Sequence, residues 1–373
     1  MMRILTVFGT RPEAVKMAPV VRQLAALPEV EARVCVTAQH RQMLDQVLSL
    51  FHIRPDYDLN LMREGQSLAQ LSADIFTNLD PILEDFKPDW VLAQGDTTTV
   101  AITSLLCFYR QIRFGHVEAG LRTHDKWQPF PEEVNRRIAG VVADLHFAPT
   151  NWSKENLLRE GVDESIVKVT GNTVIDALQF VAKQPEPDEV KNLMETLGIN
   201  ASRRLILVTA HRRENFGEPL ENICRALVEI ANRGDVEIVY PVHLNPNVQE
   251  PVNRLLHNVE HITLLPPLDY LPLVHLMKHA HLILTDSGGI QEEAPAFGIP
   301  TLVLRDVTER PEGVEAGTLK LVGTETFRII QETQQLLEDK TAYETMSHSI
   351  NPYGDGHSAE KIVQILLNGR ENL

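Results

Sequence analysis

Charged side chains follow several of the hydrophobic runs in this 373-residue chain. Three of them are carboxylates, Asp96, Glu118 and Glu132, and carboxylates in different surroundings can divide the roles of general acid and general base. His211 and the turn at residues 286–289 follow runs in the second half. In open α/β sheets, ligands bind beyond the carboxyl ends of the strands, where such residues converge. The placement predicts an enzyme, although a lone carboxylate at a helix start can simply cap backbone N–H groups.

The turn after the run 282–285 is a candidate phosphate site. Gly288 and Gly289 would let the backbone approach an anion closely, and N–H groups at the start of the next helix would donate to it. Arg310 would add a positive charge. A Gly-Gly turn with a purely structural purpose is the alternative interpretation.

Two further positions could contact a diphosphate. Arg11 follows the first run, Pro12 suits the first turn of a helix, and Lys16 lies about one turn further on. His211 begins a His-Arg-Arg segment and could assist a departing phosphate. Neither a Walker A loop nor a Gly-rich dinucleotide fingerprint follows the first run, which disfavours ATP hydrolysis and NAD chemistry. Metal-ligand spacings are also missing from the sequence, so neither a metal nor another cofactor is expected.

Strand-like runs alternate with helical patterns in both halves of the chain. Near-continuous apolar runs separated by helices predict a parallel sheet covered on both faces, and the restart of the pattern predicts two lobes. The predicted class is α/β, with two Rossmann-like, doubly wound lobes that face a cleft. The predicted strands are 3–9, 32–38, 90–95, 113–119, 145–150 and 166–171, then 205–210, 237–242, 262–265, 282–285 and 301–304; predicted helices of the first half are 13–27, 42–51, 68–86, 97–109 and 132–143.

Composition excludes several classes of partner. The formal charge of −16 argues against broad binding to nucleic acid or anionic membranes, because both need basic surface. The three cysteines lie in apolar stretches without CxxC pairing, as expected for buried thiols in a reducing compartment. No secretion signal or long apolar run is apparent, so a cytoplasmic protein is expected.

Eight stretches of the sequence resemble the non-hydrolysing UDP-N-acetylglucosamine 2-epimerases of bacteria. The resemblance runs in order from Ile4 to about Gly356 and is highly specific. Its stretches are 8–14 (FGTRPEA), 37–41 (TAQHR), 95–99 (GDTTT), 116–122 (HVEAGLR), 131–136 (PEEVNR), 170–176 (TGNTVID), 286–293 (DSGGIQEE) and 351–356 (NPYGDG).

The resemblance implies a GT-B-like fold and reversible interconversion of UDP-N-acetylglucosamine and UDP-N-acetylmannosamine, an isomerase reaction without a cofactor. UDP is the third expected small-molecule partner. The implied domains are an N-terminal Rossmann-like domain with the catalytic carboxylates at 1–171, a UDP-binding domain at 172–356, and a final helix within 357–373 that returns to the first domain. A homodimer and a role in polysaccharide biosynthesis are further expectations from the resemblance.

The resemblance also assigns residues. The catalytic group is expected to be Asp96, Glu118, Glu132 and His211. Because no carbonyl acidifies the C2 hydrogen, its removal must be coupled to loss of UDP from C1, and reprotonation must come from the other face; Asp96 and Glu132 are the expected pair. The residues expected to line the substrate or UDP site are Arg11, Lys16, Asp96, Glu118, His211, Ser287, Gly288, Gly289, Glu293 and Arg310.

The sequence departs from the family at two places. Gly65 stands where the family has an arginine in a second, allosteric substrate site, with Arg63 nearby, and Leu268 and Leu273 stand where some relatives have polar or aromatic residues near uracil. The remaining allosteric residues implied by the resemblance are Gln39, Gln42, Arg212 and His243.

Three other functions stay open at this point. A hydrolysing epimerase would release free N-acetylmannosamine and UDP. A GT-B glycosyltransferase would keep the fold and pass the sugar to an acceptor. A nucleotide-sugar sensor would bind without turnover, which the three carboxylates disfavour.

Overall fold

The computed structural model describes residues 1–37, 41–63, 65–199 and 203–369. The chain forms two compact units, one of Met1–Ala177 with Tyr353–Leu373 and one of Leu178–Pro352. The sequence predicts that the first domain ends at Gly171, whereas the first unit of the structure extends to Ala177, six residues further on. Gly171 stays with the first unit because it packs closely against Gly354 and Ser358 of the returning chain.

Both units are built on a parallel sheet, which confirms the predicted α/β class. Each predicted strand is present, and no strand end shifts by more than two residues. Two short edge strands, β3 and β13, carry too few residues for a periodic signal and were not predicted. The strands are β1 (Met2–Phe8), β2 (Val30–Val36), β3 (Tyr57–Asp58), β4 (Trp90–Gln94), β5 (Arg113–Val117), β6 (Leu145–Ala148), β7 (Val167–Val169), β8 (Arg204–Thr209), β9 (Val236–Pro241), β10 (Ile262–Leu265), β11 (Leu282–Thr285), β12 (Thr301–Val303) and β13 (Leu319–Leu321).

Helices connect the strands in both units. Thr10, Ser67, Thr97 and Thr150 each cap the helix that follows with a side-chain oxygen. The helices are α1 (Arg11–Ala25), α2 (Arg41–Leu50), α3 (Leu68–Phe86), α4 (Thr98–Arg110), α5 (Glu132–Val142), α6 (Asn151–Arg159), α7 (Thr173–Ala182), α8 (Asp188–Leu197), α9 (Glu218–Ala231), α10 (Pro246–Leu256), α11 (Tyr270–His279), α12 (Gly288–Glu293), α13 (Pro311–Glu315), α14 (Thr326–Glu338), α15 (Lys340–Ser347) and α16 (Ser358–Asn368).

The first unit has a seven-stranded sheet in the order β3-β2-β1-β4-β5-β6-β7. Leu5 and Val7 of β1 pack with Val91 and Ala93 of β4 into a core shared with α3, α4 and α5. Alternate residues of a strand point to opposite faces, and on the other face α1 packs against α2 and α16. The final helix therefore belongs to the first unit.

The second unit has a six-stranded sheet in the order β10-β9-β8-β11-β12-β13. Its main core joins β8, β9 and β11 to α9, α10 and α14, with fully buried Tyr240 as the largest side chain. The helices α8 and α11 pack against each other. Across the described residues, no helix is long and apolar enough to cross a membrane.

Two buried histidines in the first sheet predict acid sensitivity. His116 and His146 are paired neighbours on β5 and β6 and are buried. Burial lowers the pKa of His116 to about 4 and that of His146 to about 3. Below about pH 6.5 the unfolded chain takes up protons that the folded chain cannot, so stability falls as the pH falls. Between pH 7 and pH 5 each histidine should remove roughly 2 kcal/mol from the free energy of unfolding.

Replacing His146 with leucine should remove its share of this loss. Neither ring nitrogen of His146 has a hydrogen-bond partner among the described residues, so an apolar side chain should also stabilise the protein at neutral pH. Urea unfolding at pH 7 and pH 5 measures both effects. His52→Asn, at an exposed position, is the control and should keep the wild-type slope. Equal pH slopes for His146→Leu and wild type would contradict the prediction.

Candidate active site

The turn between β1 and α1 positions Arg11 and is tightly built. The Thr10 side chain accepts from the N–H of Glu13, and the Glu13 carboxylate accepts in return from the N–H groups of Gly9 at 2.9 Å and Thr10 at 2.7 Å. A Cβ at position 9 would lie 2.1 Å from the Thr37 hydroxyl oxygen, so only glycine fits there. The turn thereby fixes the backbone that carries Arg11.

Glu13 also joins this turn to the end of β4. Its other oxygen accepts from the Thr97 hydroxyl at 2.6 Å, and burial raises the pKa of the Glu13 carboxyl. Asp96 immediately precedes Thr97. The strand order reverses between β1 and β4, and ligands of open α/β sheets bind at such a switch point. Arg11 and Asp96 therefore flank the position where a ligand is expected.

Asp96 is held by the first two turns of α5. Its carboxylate forms an ion pair with Arg136, and its backbone carbonyl accepts from the Asn135 side chain at 3.0 Å. Glu132 begins α5, three and four residues before these partners, and residues at that spacing are neighbours on one helix face. The structure therefore brings Asp96 and Glu132 to the same end of α5.

The two adjacent glutamates of α5 have different environments. Glu133 is fully buried, and it accepts from the N–H groups of Thr123 at 3.1 Å and His124 at 3.2 Å. Its carboxylate therefore holds the loop before α5 in place. Glu132 is half-buried, and its Oε2 atom has no hydrogen-bond partner among the described residues. That oxygen is itself buried, so Glu132 keeps hydrogen-bonding capacity that the described residues leave unused.

Glu118 lies in a third environment, at the end of β5. Its backbone has a φ of 62°, in the left-handed region that costs a residue with a Cβ about 1 kcal/mol or more. The carboxylate accepts from Lys16 and from Asn172 at 3.0 Å through one oxygen, and from Gln94 through the other. Both oxygens are occupied, so Glu118 presents a fixed negative charge next to the Gly95-Asp96 turn.

The second unit has its own switch point, between β8 and β11. His211 follows β8, and Asp286 follows β11. Asp286 is fully buried, and its Oδ2 atom accepts from the backbone N–H groups of His211 and Arg212, both at 2.8 Å, and from the Asn215 side chain at 3.0 Å. Its Oδ1 atom lies 3.6 Å from Nδ1 of His211. Asp286 therefore fixes the loop that carries His211.

His211 is held as a neutral imidazole near neutral pH. Burial is the main cause that lowers its pKa; nearby Asp286 opposes the shift, and His243 and Arg212 reinforce it. The His243 ring stacks on the His211 ring with a centroid separation of 5.3 Å. A neutral ring can donate one hydrogen bond to a phosphate without adding charge.

The expected allosteric site is only partly described by the structure. Of its residues, Gln39 and the side chain of Gln42 lie outside the described part of the chain.

The turn at 286–289 places glycine backbone next to an arginine. A Cβ on Gly288 would lie 2.8 Å from Nη1 of Arg310, so the guanidinium group lies directly over this glycine. Arg310 also forms an ion pair with buried Glu292 at 2.8 Å. The residues on either side of Gly288 have different surroundings. The N–H of Ser287 donates to the Thr285 hydroxyl at 2.9 Å, and Gly289 is exposed.

Glu293 is buried inside the second unit. Its carboxylate accepts from the Tyr270 hydroxyl at 2.8 Å and only 5% of the residue is exposed. The hydrogen bond attaches the end of α12 to the start of α11. This contact gives Glu293 a structural role in addition to the ligand contact that the sequence predicts.

Replacing Asp286 should lower the stability of the protein strongly. Asp286→Ala would leave three N–H donors around the former carboxylate without that acceptor, at a cost of about 3 kcal/mol or more. Urea unfolding of the full chain measures the loss. Asp188→Ala is the control, because that side chain is 91% exposed, and it should change stability by less than about 0.5 kcal/mol. An Asp286→Ala protein as stable as this control would contradict the assigned role.

Sequence reasoning missed three residues of these clusters, and it singled out the turn that contains Asp286 without giving that residue a role of its own. Arg136 and Asn172 lie in two of the family-like stretches, so a signal for them was present. Gln94, the last residue of β4, had no signal beyond its position. In the parts of the chain that the structure describes, no group of three His, Cys, Asp or Glu side chains could hold a metal ion.

Two doubly wound units with charged side chains at each switch point define an enzyme of the GT-B-like class. A family model described as UDP-N-acetylglucosamine 2-epimerase matches residues 22–367. The chain therefore belongs to the UDP-N-acetylglucosamine 2-epimerase family, as its sequence predicted, and is an isomerase.

Individual relatives agree with this assignment over the full length. The chain is 57% identical to the UDP-N-acetylglucosamine 2-epimerase of Salmonella typhimurium and 56% identical to that of Escherichia coli strain K12, with 100% of each chain covered in both comparisons. Among solved structures, it is similar to the UDP-GlcNAc 2-epimerase of Neisseria meningitidis bound to UDP-GlcNAc. That match has 52% identity and a TM-score of 0.90, and it covers 98% of this chain and 100% of the other.

Proposed function

We propose that this protein interconverts UDP-N-acetylglucosamine and UDP-N-acetylmannosamine by eliminating UDP and adding it back. The observation that supports this most is the group of three carboxylates with three environments in the first unit. Glu132 has an oxygen without a partner among the described residues, Asp96 is paired with Arg136, and Glu118 accepts hydrogen bonds at both oxygens. These differences suit proton transfer by two groups and charge stabilisation by the third.

In the proposed elimination, one carboxylate of the Asp96 and Glu132 pair removes the proton at C2. The C–H electron pair forms the C1–C2 double bond, and the C1–O bond breaks with its electrons on the departing UDP. The products are 2-acetamidoglucal and UDP. The other carboxylate then protonates C2 from the opposite face while UDP adds back to C1. The fixed charge of Glu118 would stabilise the positive charge that develops at the ring.

The second unit would bind UDP in this proposal. Arg310 over Gly288, together with the turn at 286–289, offers positive charge and close backbone approach for the diphosphate. His211 would donate a hydrogen bond to the leaving phosphate. Arg11 and Lys16 of the first unit are further proposed contacts to the substrate. Glu293 also stays a proposed contact, in addition to its hydrogen bond with Tyr270.

Three other functions are separated by one experiment. The purified protein is incubated with UDP-N-acetylglucosamine alone, and proton and phosphorus NMR identify the products. A second nucleotide-linked sugar supports the epimerase. Free N-acetylmannosamine with UDP indicates a hydrolysing enzyme, a requirement for an added acceptor indicates a glycosyltransferase, and binding without any product indicates a sensor.

We also propose that the protein is a homodimer. Phe108 and Tyr109 at the end of α4 are about two-thirds exposed, and Val141 on the neighbouring α5 is 88% exposed. Apolar residues gathered on adjacent helices are typical of a surface that a second copy covers. Light scattering tests this: a mass near twice that of the chain supports the dimer, and a monomer mass contradicts it.

A further inference from the structure

We propose that Gln94 and Asn172 form an amide clamp that positions the Glu118 carboxylate for the reaction. Each contributes one side-chain N–H, Gln94 to Oε2 and Asn172 to Oε1 at 3.0 Å. All three residues are buried, with 8% or less of each exposed. The inference rests on the proposed function, because it concerns how one of the three carboxylates is held.

The two amides and Glu118 lie at or just beyond the ends of three strands. Gln94 is the last residue of β4, Glu118 follows β5, and Asn172 follows β7. Two amides on opposite oxygens fix the plane of the carboxylate, since rotation would break both hydrogen bonds. Lys16 supplies charge to the same carboxylate, but an ammonium group on a flexible stem sets direction less strictly than two amides do.

The orientation of the Asn172 amide follows from its other contacts. Its Oδ1 atom accepts from the N–H of Val174 at 3.0 Å at the start of α7. The NH2 group must therefore point to Glu118, since a carboxylate can only accept. The backbone N–H of Asn172 donates to the carbonyl of Tyr353 at 2.7 Å. Asn172 is thus anchored to Tyr353, the residue at which the chain returns to the first unit.

Neither amide can gain or lose a proton at ordinary pH, so both act through Glu118 and are positioning residues. The left-handed backbone of Glu118 supports this interpretation, because such strain persists only where surrounding contacts over-determine it. A small misplacement of a catalytic group can cost about 100-fold in rate. Loss of either arm should therefore lower kcat by about 10- to 100-fold.

Two single variants test the clamp. Asn172→Ser keeps an oxygen that can accept from Val174 but cannot reach Glu118, and Gln94→Ala removes the other arm. We expect kcat to fall about 10- to 100-fold in each, while KM changes less than about threefold, because the interaction acts in the transition state. Leu79→Ala, in the fully buried core of α3, is the control for lost stability. It should lower Tm and keep kcat within about twofold.

The outcomes separate this inference from the proposed function. Wild-type protein that fails to turn over UDP-N-acetylglucosamine overturns the proposed function and the clamp with it. Active wild type together with either variant at kcat within about twofold of wild type overturns the clamp alone. The clamp is also overturned if Leu79→Ala loses as much kcat as the two clamp variants at the same fall in Tm. The losses of kcat would then follow stability rather than the geometry of Glu118.

Discussion

Glu132→Gln should lower kcat by about 1,000-fold, since a positioned general acid or base contributes about 10²- to 10⁴-fold. Glutamine keeps the shape of the side chain and removes its ability to transfer a proton. The Oε2 atom of Glu132 has no hydrogen-bond partner among the described residues, so the loss should come from chemistry and not from a broken structural contact. Turnover is measured by NMR on UDP-N-acetylglucosamine.

The control for Glu132→Gln is Glu155→Gln, an exposed glutamate of the same unit. It should keep wild-type turnover. UDP affinity, measured by calorimetry, should change less than about threefold in both variants. Full activity in Glu132→Gln would exclude this residue from proton transfer.

Asp96→Asn should give the second large loss, again about 1,000-fold in kcat. Asparagine can still accept from Arg136, but it can neither take nor give the proton at C2 and it weakens the ion pair. If Asp96 and Glu132 serve opposite faces, each substitution should stop exchange of the C2 hydrogen with solvent when the reaction starts from one of the two sugars. Exchange is therefore followed from both UDP-N-acetylglucosamine and UDP-N-acetylmannosamine.

Asp85→Asn is the matched control, because Asp85 is exposed in the same unit. Its exchange rates should equal those of wild type from both sugars. Wild-type exchange in Asp96→Asn from both sugars would remove Asp96 from the pair.

The sequence predicted the fold class because each strand of a two-sided parallel sheet is a continuous apolar run. The strands at 262–265 and 282–285 and the helix at 68–86 have the predicted bounds. The helix is capped by Ser67 and ends at Lys87, whose backbone is left-handed. The edge strand Tyr57–Asp58 and the helix Asn151–Arg159 were not predicted. A strand of two residues shows no periodicity, and most side chains of the helix are polar. Neither element therefore has a strong local signal.

The sequence also located the carboxylates but not what distinguishes them. Glu118 and Glu132 both follow apolar runs, and nothing local shows that Glu118 is held by Gln94 and Asn172. Those partners lie 24 and 54 residues away, and their contacts arise only when the ends of β4, β5 and β7 meet. Asp286 similarly reaches His211 across 75 residues. Long-range pairing of this kind is set by topology, which a single sequence shows only through resemblance.

In the proposed reaction, the C2 hydrogen leaves the sugar during turnover. The most direct measurement is incubation of the wild-type protein with UDP-N-acetylglucosamine in deuterium oxide, followed by proton NMR. We expect deuterium at C2 of UDP-N-acetylmannosamine, and of the UDP-N-acetylglucosamine regenerated from it, with both sugars still linked to UDP. Epimerised product that retains its original hydrogen at C2 would contradict removal and replacement of that proton.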